Sequence, residues 1–490
     1  MSGEQHFEQK NMQKQTAKLE TAHTLTRRLA DYAAGQAYPF HMPGHKRQLS
    51  GFFPYELDIT EIEEFDNLHH AKGLLLEAQQ YAAQMYQSWK AYYLVNGSTC
   101  GILAAISAAT TKGGRILVAR NCHKAVYNAI YLRGLKAEYV YPVATHYGIQ
   151  GQIQAADVER KLVEKSDIQA IVITSPTYDG LVSDIRAIAD LAHAHGIPLI
   201  VDEAHGAHFG LDEAFPDNAT VLGADAVIMS VHKTLPAPTQ TALLHLCSDR
   251  IDVAKVEKFL GIYETSSPSY VLMAGIEESL RLADEAKGVR MKEYVRRLQA
   301  FRKKMRSLTI LSVPDRADFA GEEAYAYDIG KLLLVTNGAI SGKALQEKLL
   351  KQYGLQMEMS SGNYVLAMTS FVDTEEGLER LADALLEIDA TLTVTDQREL
   401  FTPEKIYRQP KKAMEIDEVQ DGESTSVAFS EAEGRICADY IYLYPPGIPV
   451  IVPGEVLDQQ TLTVIETCQK MELDVEGLPQ AGHVHVVNNF

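Results

Sequence analysis

The runs PLIVDEAH (198–205) and AVIMSVH (226–232) are short apolar segments that each end in polar residues. Five further runs of this kind are AYYLVN (91–96), RILVAR (115–120), AEYVYP (137–142), AIVITSP (170–176) and TALLHL (241–246). Longer helical patterns separate them, which is the order of parallel βαβ units. Since the runs are almost continuously apolar, helices should cover both faces of the sheet. The sequence therefore predicts an α/β domain on a mostly parallel sheet of these seven strands.

Composition and charge narrow the class of protein. The chain has 490 residues, of which 46% are hydrophobic and 23% charged, a composition typical of folded globular proteins. Its formal net charge of −19 repels nucleic-acid phosphates and anionic lipid surfaces. We therefore expect neither nucleic acid nor a membrane as partner, whereas cationic small molecules are not repelled.

The cysteines and the amino terminus give an indication of the cellular compartment in which the protein lies. Five cysteines are scattered along the chain without a CxxC pair, as expected for reduced thiols. The amino terminus lacks the apolar stretch of a signal peptide, and no apolar run approaches the roughly 18 residues of a membrane span. These features predict a cytoplasmic protein.

Changes of pattern divide the chain into four regions. We expect an N-terminal arm over 1–50, a large domain over 51–268, a long helix and a small α/β domain over 269–395, and a C-terminal α+β module over 396–490. The stretch 269–305 has apolar residues at helical spacing and no proline, which favours one long helix. The polar stretch 402–424 is typical of a linker.

Two charged residues follow strands of the predicted sheet. Asp202 ends the run PLIVD, and Lys233 follows AVIMSVH. Because the carboxyl ends of the strands in an open parallel sheet form the ligand crevice, both side chains are expected to face one pocket. Either residue alone is more often an ordinary surface residue. Together they suit pyridoxal 5'-phosphate, which needs a lysine amine for a Schiff base and an anionic partner for its ring nitrogen.

A phosphate cradle is predicted at NGST (96–99), between a strand and a helical pattern. Glycine at position 97 allows close approach of the backbone, the hydroxyl groups donate hydrogen bonds, and a helix N-terminus favours an anion. By itself such a sequence is most often an ordinary helix cap. It gains weight because it stands in chain order with Asp202 and with SVHK (230–233).

His123 and Ala204 are candidates for contact with a flat ring. His123 follows the run RILVAR, again at the carboxyl end of a strand, where its imidazole could stack on a cofactor. The alternative is a polar residue at a helix N-terminus. Ala204 is small enough to let a ring lie against the strand.

A metal site is the competing use of the histidines. Asp202, His205 and His208 stand close in sequence, and His41 and His45 are four residues apart. The chain has no HExxH motif, and the Pro-Gly pair between the last two histidines would break a helix that aligned them. We therefore predict no catalytic metal.

Nine motifs in consistent order resemble those of the Orn/Lys/Arg decarboxylases, which are fold-type I pyridoxal-phosphate enzymes. They are HMPGHK (41–46), FDNLHH (65–70), LVNGSTCG (94–101), RNCHKAV (120–126), SPTYDG (175–180), VDEAHGAH (201–208), SVHKTLPAPTQ (230–240), TSSPSY (265–270) and YPPGIPVIVPGE (444–455). The chain is most similar to the short bacterial form of that family, which lacks an N-terminal wing domain. The resemblance implies the fold-type I architecture for the large domain.

The resemblance also implies roles for individual residues. Lys233 would form the Schiff base, Asp202 would pair with the pyridine nitrogen, and His123 and Ala204 would lie on opposite faces of the ring. The residues expected around the phosphate are Gly97, Ser98, Thr99, Ser230 and His232.

Assembly and substrate contacts follow from the same resemblance. Family members are dimers or larger, with the active site at the subunit interface, and TSSPSY is similar to a segment that reaches a neighbour's cofactor. Within it, Ser266 is the expected contact, and a homodimer or homotetramer is the expected assembly. His205 stands where the larger enzymes have an aromatic residue, and Glu358 is a candidate for binding the distal cation of a substrate.

The implied reaction is decarboxylation of a basic amino acid, which converts arginine to agmatine, lysine to cadaverine or ornithine to putrescine and releases CO2. A biosynthetic role in polyamine formation is expected. A different fold-type I reaction, such as aminotransfer or β-elimination, is the second hypothesis, and a non-catalytic binding protein is the third. Lys233, His123 and His232 all remain candidates for the acid that protonates Cα.

Overall fold

The computed structural model describes residues 24–35, 54–393, 409–443, 448–470 and 474–488. Most of the predicted N-terminal arm, with His41 and His45, lies outside these ranges. No helix within them is long and apolar enough to cross a membrane.

A seven-stranded sheet forms the centre of the large domain. The first eight strands are β1 (Lys90–Leu94), β2 (Arg115–Ala119), β3 (Lys136–Val140), β4 (Ile168–Thr174), β5 (Leu181–Val182), β6 (Leu199–Asp202), β7 (Ala226–Met229) and β8 (Ala242–Leu246). All of them except β5 join the sheet, in the order β1-β8-β7-β6-β4-β2-β3. Only β8 pairs antiparallel with its neighbours. The predicted mostly parallel sheet is confirmed.

Successive residues of the central strands enter two separate apolar cores. On β6, Leu199 and Val201 pack into one core while Ile200 packs into the other. The helices of this domain are α1 (Leu25–Ala34), α2 (Leu74–Met85), α3 (Gly97–Ala109), α4 (Lys124–Arg133), α5 (Ala155–Glu164), α6 (Ile185–Ala194), α7 (Val231–Thr234) and α8 (Val253–Tyr263). Because both faces of the sheet are covered, its strands have no wet face, and this explains their continuously apolar sequence.

The prediction of one long helix over 269–305 is wrong. The segment forms two helices of 17 residues each, α9 (Tyr270–Ala286) and α10 (Val289–Met305). Gly288 separates them with a φ of 86°, a conformation that glycine adopts without a steric cost. The spacing of apolar residues continues across the break, which is why the sequence pattern alone does not reveal it.

The small domain is built on a three-stranded antiparallel sheet of order β10-β12-β11. Its elements are β9 (Ala326–Tyr327), β10 (Lys331–Val335), α11 (Gly342–Tyr353), β11 (Met359–Ser361), β12 (Tyr364–Met368) and α12 (Glu375–Thr391). The short strand β9 pairs with β5 of the large domain through Leu181 and Tyr327. This pairing fixes the start of β10 beside the end of the central sheet.

The C-terminal module combines two small sheets with two helices and has its own apolar core. Its elements are α13 (Ile416–Gln420), β13 (Ser424–Ala428), β14 (Ile441–Leu443), β15 (Ile448–Ile451), α14 (Gln459–Lys470), β16 (Val475–Glu476) and β17 (His483–Val487). Three short 3-10 helices complete the described chain, at Leu68–His70, Arg316–Asp318 and Phe429–Glu431.

The predicted linker over 402–424 is wrong in its described part, which begins at Gln409. The Lys412 Nζ donates to the Ala137 carbonyl of the large domain at 2.7 Å. Ile416 is buried in an apolar core that it shares with the central sheet. Polar composition favoured a linker, but the few apolar and charged residues of the segment find partners on the large domain.

A buried ion pair joins the C-terminal module to the large domain. Arg120 and Glu455 lie 3.0 Å apart, and their side chains are 4% and 1% exposed. Arg120 also donates to the Tyr127 hydroxyl and the Pro449 carbonyl, each at 3.0 Å. Arg120 immediately follows β2, so this contact holds the module close to the carboxyl ends of the strands.

We expect Arg120→Met to destabilise the protein by about 3 to 5 kcal/mol, because the carboxylate of Glu455 would stay buried without its cation. Chemical unfolding followed by circular dichroism measures the change. The control is Lys351→Met, which breaks the exposed Lys351–Glu347 pair and should cost at most about 1 kcal/mol. A loss for Arg120→Met no larger than that of the control would contradict the prediction.

Candidate active site

One cavity of about 270 Å³ lies where the carboxyl ends of β2, β4 and β6 meet the segment after β7. Its walls carry the ends of these strands, loop residues that follow them, one residue each of α3 and α7, and one residue of β15. The lining residues are Ser98, Asn121, His123, Gln150, Thr174, Pro176, Thr177, Tyr178, Asp179, Asp202, Ala204, His205, Lys233 and Ile448. Six residues that the sequence predicted for one site therefore lie together here: Ser98, His123, Asp202, Ala204, His205 and Lys233.

Asp202 and Lys233 stand at the ends of β6 and of the short helix α7. Asp202 is 3% exposed, and its Oδ1 accepts from the Ala204 amide at 3.2 Å. Burial raises the pKa of the Asp202 carboxyl, against the attraction of Lys233. Burial likewise lowers the pKa of Lys233, against the attraction of Asp202 and Glu358. The site thus keeps a carboxyl and an amine with perturbed pKa values in one cavity, as is common at functional sites.

His205 lies between two lysines. Its Nε2 is 3.0 Å from Lys233 Nζ, and its Nδ1 is 2.8 Å from Lys331 Nζ. Burial, followed by the charges of Lys331 and Lys233, lowers the pKa of His205 well below its usual range. The imidazole is therefore neutral at neutral pH.

Lys331 begins β10 of the small domain and is 1% exposed. Its ammonium lies 5.7 Å from the centre of the Tyr178 ring. Burial lowers its pKa to about 8, although the carboxyls of Asp328 and Asp179 favour the charged form. Asp328 in turn accepts from His208 Nε2 at 3.0 Å, so that a buried hydrogen bond between the two domains stands behind Lys331.

The predicted phosphate cradle lies at the N-terminus of α3. Gly97 has a φ of 75° and opens the helix, and Ser230 Oγ donates to Ser98 Oγ at 3.0 Å. Thr99 is exposed and does not line the cavity. His232 is half-buried with its Nδ1 at 2.8 Å from the Thr241 carbonyl, and it does not line the cavity either.

Ser266 and Glu358 lie outside the cavity wall of the described chain. Ser266 is exposed in the turn between α8 and α9. Glu358 is exposed beside the cavity, where it accepts a hydrogen bond from the hydroxyl of Tyr178, which is a lining residue. Its carboxylate also attracts Lys233 and Lys331. Glu358 thus borders the site, whereas the predicted role of Ser266 requires a second chain and stays a prediction.

Burial and the charge of Lys233 lower the pKa of His123 to about 4. Its Nδ1 accepts from the Ala125 amide at 3.2 Å, so His123 also caps α4. The alternative interpretation, a polar residue at a helix N-terminus, is therefore confirmed, and His123 also lines the cavity, while its stacking on a cofactor stays a prediction.

Four buried polar atoms of lining residues have no hydrogen-bond partner within the described ranges. They are Asn121 Oδ1, Gln150 Oε1, Thr174 Oγ1 and Asp179 Oδ1. Buried polar groups are almost always paired in folded proteins, so these four atoms offer hydrogen bonds to whatever fills the cavity, a ligand or water.

Sequence reasoning missed several lining or neighbouring residues. Tyr178 and Asp179 lie within the quoted motif SPTYDG, and Asn121 lies within RNCHKAV, so the motifs marked their segments but not their side chains. Lys331 gave no signal, because a lysine at the start of an apolar strand is usually solvated.

Comparison with known protein families identifies the family to which this chain belongs. The model of the Orn/Lys/Arg decarboxylase major domain matches residues 23–318, and that of the C-terminal domain of the same family matches residues 395–480. The chain therefore belongs to the Orn/Lys/Arg decarboxylase family, a family of amino-acid decarboxylases. The resemblance inferred from the motifs is confirmed.

Individual relatives agree with this assignment. An arginine decarboxylase of Bacillus anthracis is 30% identical over 461 residues, which cover 92% of this chain and 93% of the relative. The uncharacterised protein YaaO of Bacillus subtilis is 33% identical over 475 residues, which cover 92% and 95%. The structure of the constitutive lysine decarboxylase of Escherichia coli has a TM-score of 0.80 at 21% identity, with 95% of this chain and 82% of that chain covered. This last match confirms the predicted fold class.

We expect Asp328→Asn to destabilise the protein at pH 7 by about 3 kcal/mol, because it removes the anion of the buried pair with His208. Burial raises the pKa of Asp328, but attraction by His208 and Lys331 outweighs it, and the net shift is downward from 3.8. A lowered pKa stabilises the folded state above the unfolded pKa, and this contribution is lost as the pH falls through the folded value.

Thermal unfolding of both proteins at pH 7 and at pH 3 therefore tests this pair. The difference between wild type and Asp328→Asn should narrow at pH 3. The same substitution at the exposed Asp383 is the control, with an effect of at most about 1 kcal/mol. An equal difference at both pH values would refute the electrostatic explanation.

Proposed function

We propose that this protein decarboxylates a basic amino acid with pyridoxal 5'-phosphate as cofactor, and that Lys233 is the cofactor lysine. The single observation that carries the proposal is the joint position of Lys233 and Asp202 on one cavity at the strand ends. Membership in the Orn/Lys/Arg decarboxylase family supports the reaction type. The names of relatives such as the Bacillus anthracis enzyme make arginine the first substrate to test.

The residues present fit this cofactor. Asp202 offers a buried carboxylate at the strand end, and burial raises its pKa against the attraction of Lys233. A cationic ring nitrogen beside Asp202 would add positive charge there. Gly97, Ser98 and Ser230 offer a helix N-terminus and hydroxyl groups for a phosphate. When bound, pyridoxal phosphate supplies a ring that accepts the electrons released at the substrate Cα.

The chain itself must bind and orient the substrate. Glu358 and Tyr178 form a hydrogen-bonded pair beside the cavity, and we assign them to the distal cation of the amino acid. Ile448 of the C-terminal module and Pro176 add apolar surface to the wall, which favours loss of a carboxylate as neutral CO2 over its retention.

Aminotransfer is the second candidate reaction. It usually relies on an arginine of the small domain to hold the substrate carboxylate. Among the described residues that line the cavity there is no arginine, and Lys331 of the small domain lies at hydrogen-bond distance from His205. This favours decarboxylation.

Three further assignments belong to the same proposal. Lys233 and His123 both line the cavity and remain candidates for the acid at Cα, and His232 is the weaker candidate because it does not line the cavity. We propose a homodimer or homotetramer in which Ser266 reaches the partner's site. We also propose a cytoplasmic, biosynthetic role in polyamine formation.

The first experiment is CO2 release by cofactor-loaded protein with arginine, lysine and ornithine offered separately, with mass identification of the amine. One amino acid should give CO2 and its amine in equal amounts. Lys233→Ala should lose this activity while its circular dichroism spectrum stays unchanged. Formation of a keto acid, or full activity of Lys233→Ala, would overturn the proposal.

A second experiment concerns the assigned substrate contact. Glu358→Gln keeps the shape of the side chain and its hydrogen bond to Tyr178 but removes the charge, so the KM for the preferred substrate should rise about tenfold with a smaller change in kcat. Steady-state kinetics measure both constants. Glu347→Gln, at an exposed site on α11, is the matched control and should leave KM unchanged. An unchanged KM for Glu358→Gln would remove this residue from the substrate site.

A further inference from the structure

The turn that carries the predicted phosphate cradle is hydrogen-bonded to the end of α8. The Val95 amide donates to Glu264 Oε2 at 3.1 Å, and Asn96 Nδ2 donates to the Tyr263 carbonyl at 3.2 Å. We call these two bonds the cradle tie. They join segments that are far apart in the chain, so the local sequence of the turn does not supply them.

Glu264 is a buried residue whose two carboxylate oxygens are both used. It is 7% exposed. Its Oε2 accepts from Val95, and its Oε1 accepts from the Thr265 amide at 3.1 Å. Because a carboxylate loses its water at such a site, hydrogen bonds must compensate it. The turn before α3 and the segment after α8 therefore hold each other in place through this one side chain.

The start of α3 has no side-chain cap. Asn96 precedes the helix but makes no capping bond to it, and its side chain is turned instead to Tyr263. Gly97 follows with a φ of 75° and has no side chain to offer. The first N–H groups of a helix lack partners within the helix, and asparagine is among the residues that best satisfy them. The cradle tie thus keeps the Asn96 side chain out of the place that an anion would take.

The next turn of α3 is fixed independently of the cradle tie. A Cβ added at Gly101 would lie 2.6 Å from Leu94 Cδ1 and 3.3 Å from Ile228 Cγ2, so this turn packs directly on the sheet. Ser98, in the first turn, lines the cavity and accepts from Ser230 Oγ. The cradle tie therefore acts on the first turn and the residues before it, where the phosphate is expected.

We propose that Glu264 and Asn96 are positioning residues that hold the cradle in the shape that binds the phosphate group of the cofactor. The inference rests on the proposed function in taking pyridoxal 5'-phosphate as the ligand, but it does not depend on the reaction. Neither residue is among the described residues that line the cavity, so each acts through the backbone of the turn. Without the cradle tie the turn adopts other arrangements, and the apparent affinity falls with the fraction of competent turns.

The test compares two ligands that differ only in the phosphate group, pyridoxal 5'-phosphate and pyridoxal. Equilibrium dialysis against the cofactor-free, full-length chain measures a Kd for each. Wild type should bind the phosphorylated form more tightly. Contacts to the ring and to Lys233 are common to both ligands, so a change in the ratio of the two Kd values between variant and wild type reports the cradle.

Glu264→Gln keeps the shape of the side chain, but its amide oxygen can replace only one of the two carboxylate oxygens, and N–H donors face the remaining backbone N–H. The Kd for pyridoxal phosphate should rise about tenfold, because the competent fraction falls to about a tenth, and that for pyridoxal should stay within about twofold. Removal of negative charge near an anion site would by itself lower the Kd of the phosphorylated form. The sign of the change therefore separates positioning from charge.

Asn96→Ala removes the other half of the cradle tie without a change of charge. The Kd for pyridoxal phosphate should rise about fivefold, the effect of one lost hydrogen bond, with that for pyridoxal again unchanged. Glu257→Gln is the matched control, because it removes a carboxylate of α8 whose partners, Lys90 and Tyr92, lie outside the cradle. It should leave both Kd values unchanged.

Circular dichroism establishes that each variant is folded, and Asn96→Ala decides alone if Glu264→Gln does not fold. An equal rise of Kd for both ligands, no rise for pyridoxal phosphate, or the same rise in Glu257→Gln would overturn the inference. A wild type that does not prefer the phosphorylated form would overturn the proposed cofactor and the inference with it. A wild type that prefers it but releases no CO2 would overturn only the proposed reaction, and the variants would still decide the role of the cradle tie.

Discussion

The covering of both faces of the central sheet is the constraint from which the rest of the molecule follows. Side chains along β6 alternate between two apolar cores, so no polar group can be placed within a strand without losing its water. Polar and ionisable side chains that could bind a ligand are therefore confined to the ends of the strands. Thr174 and Asp202 stand side by side there as register partners of β4 and β6. Since the ends of several strands converge, ionisable groups that are far apart in sequence must lie close together and compensate one another.

The close approach of ionisable groups at the strand ends explains why the small domain and the C-terminal module are needed. The small domain brings Lys331 and Asp328 to the strand ends, and the pair between Asp328 and His208 ties the two domains together. The C-terminal module closes the opposite side with Ile448, and the buried pair of Arg120 and Glu455 fixes it. Both of these contacts partner a carboxylate that would be costly to bury alone, so docking of each unit also compensates a buried charge.

Sequence reasoning succeeded where one feature had a single physical meaning. A polar residue that ends an apolar run marks the end of a buried strand, and this located Asp202, Lys233 and the seven strands. It failed where the decisive contact lies far away in the chain. The helix break at Gly288 leaves the apolar spacing intact, and the segment after Gln409 owes its packing to Ala137 on another domain. Lys331 looks like a solvated strand end until β9 pairs with β5 and places it behind His205.

The charge balance of the site connects its ionisable groups to the choice of substrate. Lys233 is the one lysine among the described residues that line the cavity, and no arginine is among them. Asp202 and Asp179 line the cavity and Glu358 borders it, while Asp328 lies outside the cavity wall and accepts a hydrogen bond from His208. Burial raises the pKa of Asp179 to about 6, so even this carboxyl is largely ionised at neutral pH. Negative charge therefore exceeds positive charge in the cavity, and an amino acid with a cationic side chain restores the balance where an acidic one would add to the excess.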